Sequence, residues 1–455
     1  MMGRSLLPRT LLLCALVTAC SSGPQRALET PETILETNNE TTMLFHSVLY
    51  YPSEISLNAP GFIVGVEKSP VRTITRGGDI LVVDKHEAGL SQQQARSEIV
   101  DSKILYVSHI VENKGREFGL GNCTLHNAYR QPEDNTTQQL VAPCKGMQPV
   151  PISPHQAYKK SWAALEKLEA RIRSRIKQSS APGQTPFTHI LVTTMGWNTV
   201  QEEAVRNFNS IIKNIRLAAG EDFHPLVIGV TWPSQWQSSW LGPLLKMVSF
   251  PVKARDADEL GLTWLGVLLH DTLPKADSAL PVVVIGHSFG SRASSIATCV
   301  GPAIHPEQGA TISTQSFSQL TLINLQGAFQ VDRLLGKGGD RKIIFPERCR
   351  NASSIYLTAS KHDKAMDTAF WGVYAGNDKS YKKVCDVAPQ LFNCLKADNR
   401  GLLNRRHLNG SHVTYINASD LIEQNAYLSG GGAHSDIYRR EHGVLMWQLI
   451  SASDD

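Results

Sequence analysis

Pro281-Val282-Val283-Val284-Ile285-Gly286-His287-Ser288-Phe289-Gly290 is the stretch on which the reading of this chain turns. Val282 to Ile285 form an unbroken run of β-branched residues, the pattern of a strand buried on both faces. Ser291 to Val300 read as a helix. Between them lies Gly-x-Ser-x-Gly, Gly286 to Gly290. A serine on a sharp turn between strand and helix is held in strained backbone geometry, with its hydroxyl at the top of the sheet. The flanking glycines let strand and helix pass closely. The pentapeptide recurs by chance, and the bland reading is a structural turn that contains a serine. The strand before it and the helix after it point to Ser288 as a nucleophile.

The same alternation extends outward. Strands are expected at 189–194, 225–230, 320–324, 354–358 and 413–416. Helices are expected at about 156–177, from Thr199 onward, at about 257–273, and at the C-terminus, ending near Ile450. The helix at Thr199 opens on a capping box, Thr199-x-x-Glu202. Near-continuous apolar strands alternating with helices predict an α/β fold, a mostly parallel sheet with helices on both faces. Upstream, residues 41–150 read differently. Short strands at 47–51, 62–66, 79–83 and 104–107 are separated by Gly, Asn and Pro, which marks a β-rich N-terminal region of unreadable role. The Pro-rich segment 148–154 is the expected boundary, with a catalytic unit over 155–455.

A serine hydroxyl is a poor nucleophile until a base takes its proton. In this strand order the acid and then the base follow the serine. His434, in the glycine-rich loop Gly430-Gly431-Gly432-Ala433-His434 after the last strand, is the expected base. His442 lies inside the following helix and His412 precedes the strand, so both fit worse. Asp363, in the loop after the strand 354–358, is the expected acid, with Asp367 and Asp420 as alternatives. An acid there would hold the imidazole tautomer and stabilise the imidazolium. The oxyanion of a tetrahedral intermediate needs donors. The amide of Phe289 is one. The other is expected from Met195-Gly196-Trp197-Asn198, with Trp197 as donor; the alternative is an ordinary strand-to-helix turn there.

These residues, with Thr231-Trp232-Pro233-Ser234 and Ala433-His434-Ser435-Asp436, resemble the α/β-hydrolase superfamily over about residues 185–450. The chain is most similar to a bacterial esterase/lipase-like branch carrying His-Gly-Tyr-Asn, Trp-Pro-Ser and His-Ser-Met-Gly at the corresponding places. It departs at Met195, where the branch often has His, and at Phe289, where it has Met; neither change removes a backbone donor. The resemblance implies a serine hydrolase cleaving carboxylic esters through an acyl-enzyme, with no metal and no cofactor. A thioesterase or peptidase would use the same triad, and a non-catalytic binding lipoprotein is the rival of another class. The apolar stretch 236–250 is open to two readings, a lid or a buried helix packed on the sheet.

The N-terminus carries Arg4 and Arg9 ahead of the apolar run Leu11 to Val17, too short to span a bilayer and shaped like a signal peptide core. Val17-Thr18-Ala19-Cys20 resembles a bacterial lipobox with Cys20 lipidated; an ordinary secretory signal is the alternative. On that reading residues 1–19 are the signal peptide, 20–40 a polar tether, and Ser21 favours the outer membrane, the expected partners being a lipid or small-molecule ester and the membrane through its anchor. Six cysteines then remain. An oxidising compartment suggests disulfides, with proximity favouring Cys123–Cys144 and Cys385–Cys394 and leaving Cys299–Cys349; otherwise some are buried thiols. With a formal charge of +4 and no long basic stretch, nucleic-acid binding is not expected.

Overall fold

The computed structural model describes residues 56–68, 105–115, 121–127, 142–147, 154–196, 199, 201–232, 254–304, 306, 316–336, 343–368, 372–403, 412–424 and 432–454. The signal peptide, Cys20, the tether, the strands expected at 47–51 and 79–83, Trp197 and the apolar stretch 236–250 lie outside them. Among the described residues no helix is long and apolar enough to cross a membrane.

One ten-stranded sheet organises the chain. Its strands are β1 (Gly61–Lys68), β2 (Leu105–Asn113), β3 (Asn122–Asn127), β4 (His189–Thr194), β5 (Pro225–Thr231), β6 (Val282–His287), β7 (Leu320–Leu325), β8 (Ser354–Ala359), β11 (Asn393–Lys396) and β12 (Val413–Asn417). The two-residue strands β9 (Asp367–Thr368) and β10 (Gly372–Val373) pair separately. The spatial order is β11-β12-β8-β7-β6-β4-β5-β1-β2-β3. From β11 to β1 every pairing is parallel; β2 and β3 add an antiparallel edge. The expected α/β architecture with a mostly parallel sheet is thus observed.

The strands in the middle are buried along their whole length, which is why they read as unbroken apolar runs. Successive side chains point to opposite faces. Ile190 and Val192 join one core cluster while Leu191 joins the other; Val282 and Val284 are separated from Val283 in the same way. The first face is covered by α1 (Pro154–Ser179) through Leu165, Leu168 and Ile172, by the helical run 254–276, and by α3 (Phe289–Cys299). The second is covered by α2 (Gln201–Ala219) through Val205, Phe208 and Ile212, and by α5 (Arg440–Asp454), which packs on α2. A further helix, α4 (Asp378–Val387), is capped by the Asn377 side chain, which accepts from the Lys379 amide.

The described strands of the β-rich region do not stand apart. β1 pairs in parallel with β5, so the division expected at 148–154 separates strands that share one sheet. The buried Trp264 indole donates to the Leu105 carbonyl (2.8 Å), joining the two segments again from the helical side. All three expected cysteine pairs lie at disulfide distance: Cys123–Cys144, Cys299–Cys349 and Cys385–Cys394.

Chain order sets the place of the site. From β4 the chain passes through α2 to β5 on one side, and then enters β6 on the other side of β4. The carboxyl ends of β4 and β6 therefore flank a topological switch point, the crevice where open α/β sheets receive ligands.

Candidate active site

Ser288 sits at that crevice, one residue beyond β6 and one before α3. Its backbone has φ 57° and ψ −122°, outside the regions that a non-glycine residue adopts without strain. The turn is held from below: the Ser288 amide donates to the Leu325 carbonyl (3.0 Å), and the Ser288 carbonyl accepts from the Ala328 amide (3.1 Å). The anchors come from the end of β7, the next strand, and from the loop that follows it. The two motif glycines answer to close approach. A Cβ on Gly290 would lie 2.1 Å from the Thr194 carbonyl oxygen, and one on Gly286 would lie 2.5 Å from the Ser291 Cα.

The end of β4 meets the same turn. A Cβ on Gly196 would lie 2.5 Å from the Ser288 Cβ and 2.9 Å from its Oγ, so this loop backbone lies against the hydroxyl. The buried Trp232 indole donates to the Met195 carbonyl (2.9 Å), which ties the loop after β4 to the end of β5. Trp197 itself is outside the described residues. Phe289, the other expected oxyanion donor, is the first residue of α3. Its ring is buried, so a position open to many side chains in sequence is an apolar anchor here.

His434 and Asp363 are brought together from loops 71 positions apart in sequence. A backbone pairing does this: Asp363 and Gly432 form an antiparallel bridge, and the Ala433 amide donates to the His362 carbonyl (2.8 Å). His434 Nδ1–H donates to Asp363 Oδ2 at 2.8 Å. In the neutral imidazole this bond keeps the hydrogen on Nδ1, so the lone pair falls on Nε2, the arrangement a general base requires. Asp363 is fully buried, whereas the His434 side chain keeps 13% of its surface open. Two further donors reach the carboxylate: the Met366 amide to Oδ1 (3.1 Å) and the Gln326 side chain to Oδ2 (3.1 Å). The Asn377 side chain holds the Asp363 carbonyl (2.9 Å).

His287, next to Ser288, makes the contact between the two halves. Its ring packs on that of His434, with centroids 4.9 Å apart, and its Nε2–H donates to the His434 carbonyl (3.0 Å). Burial pushes the His287 imidazole down to about 3, and the neighbouring His434 acts in the same direction. His287 is therefore neutral at ordinary pH, with its hydrogen on Nε2, the atom that donates to the carbonyl.

The competing residues are placed elsewhere. Asp420 pairs with Lys396 at the surface (2.8 Å). Asp367 lies in the short strand β9. The half-buried His412 bonds the Arg348 carbonyl (2.9 Å), and His442 is buried in α5. Sequence reasoning missed His287 as a contact of His434, and missed Gln326 altogether. The only signal for Gln326 is a polar residue followed by Gly327 at a strand end, which occurs in many loops. Glu112, Cys123 and Cys144 place ligand-type atoms within 4.8 Å of one another. The sulfurs are bonded to each other, and Glu112 is taken by Arg171 and Arg175, so that group offers an ion no free ligand.

Comparison with protein-family models, with curated proteins and with solved structures finds no match for this chain.

Proposed function

We propose that this chain is a serine hydrolase of the α/β-hydrolase fold that cleaves carboxylic esters. The observation that carries the reading is the Asp363–His434 hydrogen bond beside a serine held at positive φ, at the switch point of the sheet. Ser288 Oγ attacks the ester carbonyl while His434 Nε2 takes its proton. Asp363 keeps the imidazole in the required tautomer and offsets the charge of the imidazolium. The Phe289 and Trp197 amides receive the oxyanion. Collapse of the tetrahedral intermediate expels the alcohol, protonated by His434, and leaves the acyl group on Ser288. Water, deprotonated by the same imidazole, attacks the acyl-enzyme and releases the acid. The chemistry draws on no metal or cofactor. Cys20 carries the lipid that holds the enzyme to the outer membrane.

The test is labelling of the purified protein with a fluorophosphonate probe, wild type beside Ser288→Ala. Covalent labelling of the wild type that vanishes in the variant is the expected result. A folded wild type that takes no label would sink the proposal and leave a non-catalytic binding protein on the same scaffold. Turnover of ester, thioester and amide substrates then separates esterase from thioesterase and peptidase.

A further inference from the structure

Ser288 is not the only strained residue at the sheet's carboxyl edge. Gln326, one residue past β7, has φ 48° and is fully buried. A non-glycine residue in this region is costly, and such residues persist where the surroundings over-determine them. Gln326 is over-determined. The Thr358 hydroxyl accepts from the Gln326 amide (3.1 Å) and donates to its side-chain Oε1 (2.7 Å). Its Nε2 faces two acceptors, Asp363 Oδ2 (3.1 Å) and the Gly376 carbonyl (3.2 Å). Only the NH₂ end of the amide can satisfy both, so the orientation follows from the partners.

Asp363 Oδ2 thus receives two hydrogen bonds, one from Gln326 and one from His434 Nδ1. With Oδ2 held by Gln326 (3.1 Å) and Oδ1 by the Met366 amide (3.1 Å), the carboxylate is kept turned toward the imidazole. The donor also withdraws charge from the oxygen that faces His434. We infer that Gln326 is a positioning residue for the Asp363–His434 pair, holding the carboxylate in line with Nδ1 and limiting how strongly it stabilises the imidazolium. The inference rests on the reading of Ser288 and His434 as an acylating pair. Glycine is the residue the backbone alone would choose here. A glutamine stands there instead, and its side-chain amide reaches Asp363.

The test compares Gln326→Gly and Gln326→Glu with wild type. The titratable groups in described contact with His434 are Asp363 and His287, so a new charge at 326 acts mainly through Asp363. Gln326→Gly relieves the backbone and removes the donor; with the fold intact by circular dichroism, its fluorophosphonate labelling should slow by roughly ten- to hundredfold, the scale of a lost hydrogen bond to a charged group. Gln326→Glu adds a carboxylate, which favours the imidazolium, so the acid limb of the labelling profile should move up by about one pH unit. NMR titration of the His434 imidazole in a Ser288→Ala background should show the same upward movement, independently of labelling. If wild type labels and both folded variants match its rate and profile, the inference is overturned and the serine hydrolase reading stands. If wild type does not label, that reading fails, and an unmoved His434 titration in Gln326→Glu overturns the positioning role as well.

Discussion

At the residue scale the site is built from positions where the backbone is forced. Ser288 holds a positive φ, a strain of about 1–3 kcal/mol for a residue of this kind. Hydrogen bonds to Leu325 and Ala328 hold the turn in that conformation. Its hydroxyl faces a backbone with no side chain at Gly196, where an added Cβ would fall 2.5 Å from the Ser288 Cβ. Neither backbone can retreat, because Gly290 lies against the Thr194 carbonyl and Trp232 pins Met195. Gly196→Ala should therefore displace the serine rather than be absorbed. Displacement on the ångström scale lowers reactivity by about a hundredfold. The labelling rate measures this, and a folded variant that labels at the wild-type rate would show the crevice to be looser than described.

At the scale of elements, α3 is fastened by a buried charge cluster. Arg292, one turn beyond Ser288, makes a bidentate pair with Asp258 on the helical run 254–276, both contacts being 2.7 Å. Arg333, after β7, reaches the same carboxylate at 3.4 Å. The Arg292 and Arg333 side chains are fully buried and Asp258 nearly so. Such a cluster contributes less net stability than its contacts suggest, because taking the ions out of water costs several kcal/mol each. Removing one partner is another matter. Asp258→Ala leaves two guanidinium groups facing each other without their shared carboxylate and should cost about 3–5 kcal/mol. Urea unfolding of the variant measures the loss. Arg292 also donates to the Ala328 carbonyl (3.4 Å), while the Ala328 amide holds Ser288, so the cluster and the Ser288 turn share one loop.

At the scale of the whole molecule, one sheet joins the β-rich N-terminal strands to the rest, and buried charge follows the seams. Glu112 on β2 is buried and receives Arg171 (2.7 Å) and Arg175 from α1. Three histidines lie on other elements, His126 on β3, His287 at the end of β6 and His442 in α5. Burial lowers His126 to about 4, His287 to about 3 and His442 to about 4. Each ordinarily titrates near 6.5, so in acid the unfolded chain takes up protons that the native state refuses. Stability rises with pH wherever the unfolded state binds more protons. These three groups should leave stability unaffected above about pH 6.5 and lower it steadily from there toward about pH 4. Urea midpoints across that window check the slope, and His442→Gln should flatten it. A midpoint constant from pH 7 down to about 4.5 would contradict the assignment of buried neutral imidazoles.

The sequence by itself determined what local pattern can carry. Apolar runs such as Val282–Ile285 and Ile190–Val192 mark strands covered on both faces, because a strand exposed on one face would alternate. The Gly-x-Ser-x-Gly turn was legible because its spacing is a local steric demand, met here by the close approaches at Gly286 and Gly290. Asp363 and His434 were legible as types in the right loops, but what separated Asp363 from Asp420 was tertiary. One carboxylate is buried against an imidazole and the other pairs with Lys396 at the surface. Only the tertiary structure decided that β1 joins β5, since a pairing partner more than a hundred residues away leaves no periodic trace in either strand. The same holds for Gln326 and His287. Their parts depend on which loop ends meet at the carboxyl edge of the sheet, and that is set by strand order rather than by any neighbouring residue.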